Sequence, residues 1–189
     1  MLLSKVMSPA LRVVLMLAAV TAAVTPAPAA TAGTDRSADR SRQPEPWRPW
    51  IQEEWVAPAG RYCAFPLRVH VVSQDVRVRV VDRYPDGAVR REEFAGPLVV
   101  DFVDDTTGRT TRQDAGGSGV AEYRPDGGWL RYTIVGPAGF GFRPGDRYPQ
   151  GYYLLDGLHV ITFDGDGTRR MAVALGNQDN VCQTLAGSA

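Results

Sequence analysis

Two histidines are the side chains of this chain best suited to acid–base or metal chemistry near neutral pH. His70 alternates with Arg68 on the polar side of an apolar run, whereas His159 shares the phase of Ile161 and Phe163. A zinc site needs at least three protein ligands that converge in space. The pattern therefore predicts a surface histidine and a buried, hydrogen-bonded histidine, which act together as base or ligand only if the fold brings them into one pocket.

Three further segments resemble fragments of ion-binding or catalytic sites. Residues 164–168 (DGDGT) resemble the start of a calcium loop but lack the later ligands and the closing glutamate. Asp101, Asp104 and Asp105 offer carboxylates of the kind that glycosidases use, but nothing places a second carboxylate opposite them. Ser118, within GGSG, lacks the following helix of a nucleophile elbow. Ordinary turns and strand ends explain all three segments, so we assign no catalytic residue, metal ligand or cofactor.

The strongest candidate for a binding site is the aromatic-rich segment 136–153 (GPAGFGFRPGDRYPQGYY), the longest stretch without alternation. Long loops of compact domains are commonly functional or disordered, and this density of aromatic side chains argues against disorder. The segment predicts either a lid packed for stability or a binding lip at the mouth of a cavity. The predicted ligand-binding residues are Trp129, Phe140, Phe142, Tyr148, Tyr152, Tyr153 and His159.

Strands with one apolar face must position these side chains. Large apolar residues alternate with Arg68 and His70 at 67–71 and with alanines at 171–175, and a period of two is typical of half-buried strands. No convincing helix of ten or more residues follows the N-terminal apolar stretch. Strands are predicted near residues 67–73, 76–83, 88–95, 98–105, 109–115, 119–124, 129–135, 158–163 and 169–175.

Proline–glycine turns separate the predicted strands. Residues 84–87 (YPDG) and 124–127 (RPDG) are near repeats in which proline fits the first corner and glycine supplies the positive φ. Turns at this spacing indicate a sandwich or a barrel, and consecutive hairpins favour an up-and-down meander. We predict an all-β fold, a small antiparallel up-and-down barrel of about eight strands closed by one disulfide. Its interior would be filled by side chains or hold one small ligand.

The only two cysteines, Cys63 and Cys182, flank the predicted strands. In an exported chain the simplest interpretation is one disulfide. Two cysteines alone cannot complete a four-ligand zinc site, and no neighbouring base indicates a catalytic thiol. The bond would join the two ends of the domain, which are neighbours in a closed barrel but need not meet in an open sandwich.

The first 32 residues are typical of a secretory signal peptide. Lys5 and Arg12 lead into an apolar core at 13–24, which is shorter than the roughly 20 residues of a membrane span. Small residues allow cleavage after Ala29 or Ala32, and an uncleaved anchor is the alternative. We therefore expect a secreted, extracellular protein with no membrane contact after cleavage.

Composition shifts divide the rest of the chain. Residues 33–57 are predicted to form a flexible linker and a Trp- and Pro-rich arm that covers an apolar end of the domain or engages a partner. Residues 58–189 are predicted to form the barrel domain. The chain has 21 basic and 21 acidic residues, and two of the basic ones leave with the signal peptide. A slightly acidic mature protein argues against nucleic acid and anionic membranes as partners.

Four motifs in the predicted domain point to one family. Residues 63–69 (CAFPLRV) fit C-x-F-P-[LV]-x-[VI], and residues 106–110 (TTGRT) contain T-G-[KR]-[ST]. Residues 149–151 (PQG) fit P-x-G, and residues 181–186 (VCQTLA) fit [IV]-C-x-x-L-[AS]. From about Pro58 to Ala186 the chain resembles an uncharacterised family of secreted actinobacterial proteins. The resemblance implies a small β-barrel, similar to those of allene oxide cyclases or dirigent proteins, and brings no catalytic residues.

Three functions are compatible with these features. The leading one is non-catalytic binding of a small apolar or aromatic ligand, inside the barrel or at residues 136–153. The second is a structural or cell-surface role of the Trp-rich arm, which an exposed Trp47 and Trp50 patch over a filled core would favour. The third is a barrel cyclase or isomerase with His70, His159 or tyrosines as acid or base, which requires titratable side chains in one pocket. The oligomeric state is left open.

Overall fold

The computed structural model describes residues 43–187, so the predicted signal peptide and nearly all of the predicted linker lie outside the described residues. Within that range the chain forms twelve strands and one short helix. The strands are β1 (Arg48–Pro49), β2 (Trp55–Ala57), β3 (Leu67–Gln74), β4 (Arg77–Arg83), β5 (Val89–Ala95), β6 (Leu98–Asp104), β7 (Thr110–Asp114), β8 (Ser118–Tyr123), β9 (Trp129–Val135), β10 (Ala138–Phe142), β11 (Gly151–Phe163) and β12 (Arg169–Asn180), and the helix is α1 (Val181–Ala186). None of the helical structure in residues 43–187 is long and apolar enough to cross a bilayer.

The strands form two antiparallel sheets. The larger sheet has the order β1-β4-β5-β8-β9-β11, with β10 beside the first half of β11 and β12 along the other edge of β11. The smaller sheet has the order β2-β3-β6-β7. The predicted all-β, antiparallel fold is confirmed, but the closed up-and-down barrel is wrong. Four pairs of consecutive strands, β1–β2, β3–β4, β5–β6 and β7–β8, cross from one sheet to the other and form no hairpin.

A row of glycines lies where the chain changes sheet or leaves the extended conformation. At Gly96, a Cβ would lie 2.2 Å from the backbone oxygen of Asp75, and at Gly116 it would lie 2.3 Å from the backbone nitrogen of Leu98. At these two positions the neighbouring chain segments therefore approach too closely for any side chain, whereas a Cβ at Gly136 would lie 3.6 Å from Gly117 Cα, in ordinary contact. We call the glycines of this row the corner glycines: Gly96, Gly116, Gly117, Gly136, Gly157 and Gly176.

Two hydrophobic cores stabilise this arrangement. In the first core, the inner face of the smaller sheet packs against Leu154 of β11 and against Val181 and Leu185 of α1. The second core belongs to the larger sheet, and its buried members are Ile134, Phe142, Tyr153, Leu155 and Ile161. The alternation read from the sequence at 67–71 thus identifies residues that do point inward, such as Leu67 and Val69, whereas Leu175 of the second alternating run is 62% exposed.

The disulfide predicted from the sequence is confirmed. Cys63, between β2 and β3, is bonded to Cys182 of α1, with 5.2 Å between their Cα atoms. No backbone ladder in residues 43–187 joins β12 to the smaller sheet, and the disulfide cross-links that sheet to the helix that follows β12.

The segment 136–153, predicted as an irregular loop, contains β10 and the start of β11. Tyr148 and the turn before it separate the two strands. The alternation was hidden because β10 alternates glycine with phenylalanine, and glycine carries no apolar signal. Similarly, β12 continues five residues beyond the predicted strand end and leads directly into α1.

Candidate functional site

A cavity of about 400 Å³ lies between the two sheets, and we call it the inner cavity. Val69 and Val100 of the smaller sheet face Phe94 and Tyr132 of the larger one across it. Small-molecule sites are typically concave, largely apolar and of this size. The aromatic residues that line it are Trp50, Trp55, Phe94, Phe102, Tyr123, Trp129, Tyr132, Phe140 and Tyr152.

The Trp- and Pro-rich arm contributes to the wall of the inner cavity. It supplies β1, which pairs with β4, and β2, which pairs with β3. Trp50 contacts Phe94 edge-on, and Trp55 packs against Tyr152 at 5.5 Å between ring centroids. Trp47 is the more exposed tryptophan of the arm, and the Arg79 guanidinium lies 4.6 Å from its ring. The arm therefore directs two of its three indoles inward.

One carboxylate enters this apolar space and is already paired. The Tyr123 hydroxyl donates a hydrogen bond to Glu92 Oε2 at 3.0 Å, and Arg48 Nη2 donates to Oε1 at 3.2 Å. Burial and the adjacent Glu92 charge raise the pKa of Tyr123 well above its ordinary value. The phenol is therefore protonated at neutral pH, and its one hydrogen is used in the bond to Glu92.

A second space of about 580 Å³, which we call the outer cleft, adjoins the inner cavity. Trp55, Trp129, Phe140 and Tyr152 line both spaces, so these four side chains stand between them. In contrast to the inner cavity, the outer cleft carries charge, because three arginines and one aspartate are among its lining residues. These residues are Arg124, Arg143, Arg169 and Asp166.

Tyr62 also lines the outer cleft and contacts both aromatic side chains next to it. Burial is the largest single influence on its hydroxyl and disfavours ionisation, but the guanidiniums of Arg61 and Arg169 together outweigh it. The pKa of Tyr62 is therefore lower than that of an ordinary tyrosine. The two guanidiniums thus make the Tyr62 hydroxyl easier to ionise than that of an ordinary tyrosine.

The structure separates the seven ligand-binding residues predicted from the sequence into three groups. Trp129, Phe140 and Tyr152 line both spaces. Phe142, Tyr148 and Tyr153 belong to the second core or pack against it. His159 is buried in β11 and lines neither space.

The two histidines do not share a pocket. His70 of β3 is exposed, with Nδ1 2.6 Å from Glu54 Oε1. His159 is fully buried, as predicted, but within the described residues neither ring nitrogen has the predicted hydrogen-bond partner. Burial lowers the pKa of His159, and the nearby Gly157 backbone and Asp156 carboxylate offset only part of this effect.

Because His159 is buried without a hydrogen-bond partner, we expect the stability of the folded protein to decrease in acid. Below about pH 6.5 the unfolded chain protonates this imidazole, while the folded protein keeps it neutral. The free energy of unfolding therefore decreases as the pH is lowered, by at most about 1.4 kcal/mol per pH unit. The His159→Leu variant is expected to show a flatter profile between pH 5 and 6.5 in urea titrations. The exposed His70→Gln variant is the control and should keep the wild-type slope; an equal slope in both variants would contradict the assignment.

The strand-end aspartates singled out in the sequence are engaged within the fold. Arg112 and Arg68 form two-point ion pairs with Asp101 and Asp105, respectively. Asp104 is buried and accepts hydrogen bonds from the residues of the β6–β7 turn. These carboxylates therefore stabilise the smaller sheet, and none lines the inner cavity or the outer cleft.

Residues 164–168 form the hairpin turn between β11 and β12. The backbone N–H of Thr168 donates to Asp166 Oδ1 at 2.9 Å, and Asp164 lies 3.4 Å from Arg147. Within residues 43–187, no cluster of three or more His, Cys, Asp or Glu side chains could hold a metal ion. The segment that resembles a calcium loop is thus occupied by its own turn contacts.

Sequence reasoning missed the charged side chains of the site. Arg124 was read only as part of a turn, and Glu92, Arg143 and Arg169 carried no spacing signal, because each comes from a different strand or turn. Comparison with protein families, curated proteins and solved structures finds no match to this chain. The family resemblance noted from the motifs therefore stays a prediction.

Proposed function

We propose that this protein, exported from the cell, binds a small apolar or aromatic molecule in the inner cavity without transforming it. The observation that carries this proposal is the aromatic lining of a space of about 400 Å³ between two packed sheets. Protein interiors are normally packed to crystal-like density, so a space of this size is a departure that a ligand would explain.

The arrangement of titratable groups supports binding over catalysis. His70 and His159 lie apart, and the one carboxylate in the cavity, Glu92, is already bonded to Tyr123 and Arg48. The inward position of Trp50 and Trp55 favours a ligand site over an exposed tryptophan patch for a partner protein.

A cavity-filling substitution tests the proposal. Val69 is buried in β3 and lines the inner cavity, so Val69→Phe places extra side-chain volume where the ligand would lie. We expect the neutral fluorescent probe N-phenyl-1-naphthylamine to bind the wild-type protein with enhanced emission. We expect Val69→Phe to weaken that binding at least about tenfold.

Val72→Phe is the matched control, because Val72 is on the same strand but exposed. It should bind the probe as the wild type does. Thermal melts establish that both variants are folded. Equal binding by both variants, or no binding by the wild type, would refute the inner cavity as the ligand site.

A further inference from the structure

Three arginines from separate parts of the chain meet in the outer cleft. Arg124 is in the β8–β9 turn, Arg143 directly follows β10, and Arg169 begins β12. Each is therefore placed by the end of a strand of the larger sheet, which fixes its backbone. Among the described residues that line the cleft, Asp166 is the only acidic one.

Backbone carbonyls hold these guanidiniums in position. Arg124 donates to the carbonyl oxygens of Trp129 and Phe163. Arg169 donates to Gly141 O, and Arg143 Nη2 donates to Gly167 O at 3.0 Å. A carbonyl orients a guanidinium without neutralising it.

This pattern differs from that of an arginine in the smaller sheet, Arg68, which is bonded at 2.7 Å to both oxygens of Asp105. No ion pair in residues 43–187 involves Arg124 or Arg169. Arg143 lies 3.8 Å from Asp146, whose carboxylate also accepts two backbone N–H groups. The cleft thus contains positive charge that is positioned but largely uncompensated.

One hydrogen-bond donor of the arginines that line the cleft is also unsatisfied. Within the described residues, Arg169 Nε is shielded from solvent and has no hydrogen-bond partner, although buried donors are normally satisfied. Asp166 accepts a bond from the backbone of its own turn, at Thr168. A guanidinium binds carboxylates through two parallel N–H groups, so an anionic oxygen pair is the chemistry that fits this arrangement.

Resting on the function proposed above, we infer that the ligand is an amphipathic organic carboxylate. Its apolar or aromatic body occupies the inner cavity, and its carboxylate lies in the outer cleft against Arg143 and Arg169. The four aromatic residues common to both spaces provide the apolar passage between them, and the Phe140 ring already lies 5.4 Å from the Arg169 guanidinium.

A pair of probes with the same body separates the two parts of the site. Calorimetric titration of the mature protein with 2-naphthoic acid and with 2-naphthalenemethanol at pH 7 compares a carboxylate with a neutral hydroxyl on one ring system. We expect the acid to bind at least about tenfold more tightly. Arg143→Gln and Arg169→Gln should each reduce the affinity for the acid severalfold and leave the affinity for the alcohol unchanged.

Arg170→Gln is the matched control, because it removes the same charge from the neighbouring, exposed position of β12. It should leave both affinities unchanged. Equal wild-type affinities for acid and alcohol would overturn the carboxylate assignment while leaving the inner cavity as a ligand site. The assignment would also be overturned if Arg170→Gln lost the preference for the acid over the alcohol. It would equally be overturned if Arg143→Gln and Arg169→Gln both kept that preference. Binding of neither probe would refute both proposals.

Discussion

The Gly176→Ala variant is expected to lose more than about 4 kcal/mol of unfolding free energy or to fail to fold. Gly176 has a φ of 127°, which residues with a Cβ rarely adopt, and a Cβ there would lie 2.0 Å from the backbone oxygen of Asp156. The clash cannot be relieved by a side-chain movement, because the opposing atom is main chain. Moreover, Gly176 is paired directly with Gly157, whose own Cβ would be equally obstructed.

Urea unfolding monitored by circular dichroism checks this expectation. Gly165→Ala is the matched control, since a Cβ at Gly165 would meet nothing within 4 Å. The control should change the unfolding free energy by no more than about 0.5 kcal/mol. A Gly176→Ala protein as stable as the control would show that the β11–β12 corner does not need glycine.

Removing the disulfide is expected to lower the free energy of unfolding by about 3–5 kcal/mol. The bond closes a loop with a sequence separation of 119 residues, and a loop of that length restricts the unfolded chain strongly. The bond also connects the smaller sheet to α1, where Cys63 and Val181 are both part of the first core. The Cys63→Ala/Cys182→Ala double variant removes the bond without leaving a free thiol.

Reductant provides the internal comparison for this variant. Dithiothreitol should shift the urea midpoint of the wild-type protein toward that of the double variant and should leave the double variant itself unaffected. A wild-type midpoint that is insensitive to complete reduction would mean that the first core alone holds the two sheets together.

The strands were largely predictable, whereas their assembly was not. Alternation between 67 and 135 reports which residues face inward, and the structure has strands close to those bounds. Alternation does not report which neighbours a strand pairs with. At Gly96-Pro97, a glycine–proline step reads as a hairpin turn, but here the chain crosses to the other sheet and β5 and β6 find different partners. Glycine and proline serve both in a hairpin turn, which pairs consecutive strands, and in a crossing between sheets, which does not. The sequence alone therefore does not distinguish the two.

The apolar half of the site was partly predictable, because aromatic density is visible in sequence: Trp129, Phe140 and Tyr152 were named and do line both spaces. The charged half was not. Arg124, Arg143 and Arg169 are surrounded along the chain by ordinary turn residues, and only the meeting of three strand ends distinguishes them from the other arginines. Because the three arginines come from distant parts of the chain, no periodic pattern in the sequence indicates that they meet.

The corner glycines recur about twenty residues apart along the chain, while the tips of the hairpins lie between them. At the tips, a Cβ on Gly87, Gly127 or Gly165 would meet nothing. Insertions at a hairpin tip can therefore lengthen that hairpin without altering the strand register elsewhere. In contrast, a single residue added near a corner glycine would shift the pairing register of the strands on both sides of it. Natural variation in length, and loops inserted by protein engineering, should accordingly be tolerated at the tips, where they leave the inner cavity unchanged.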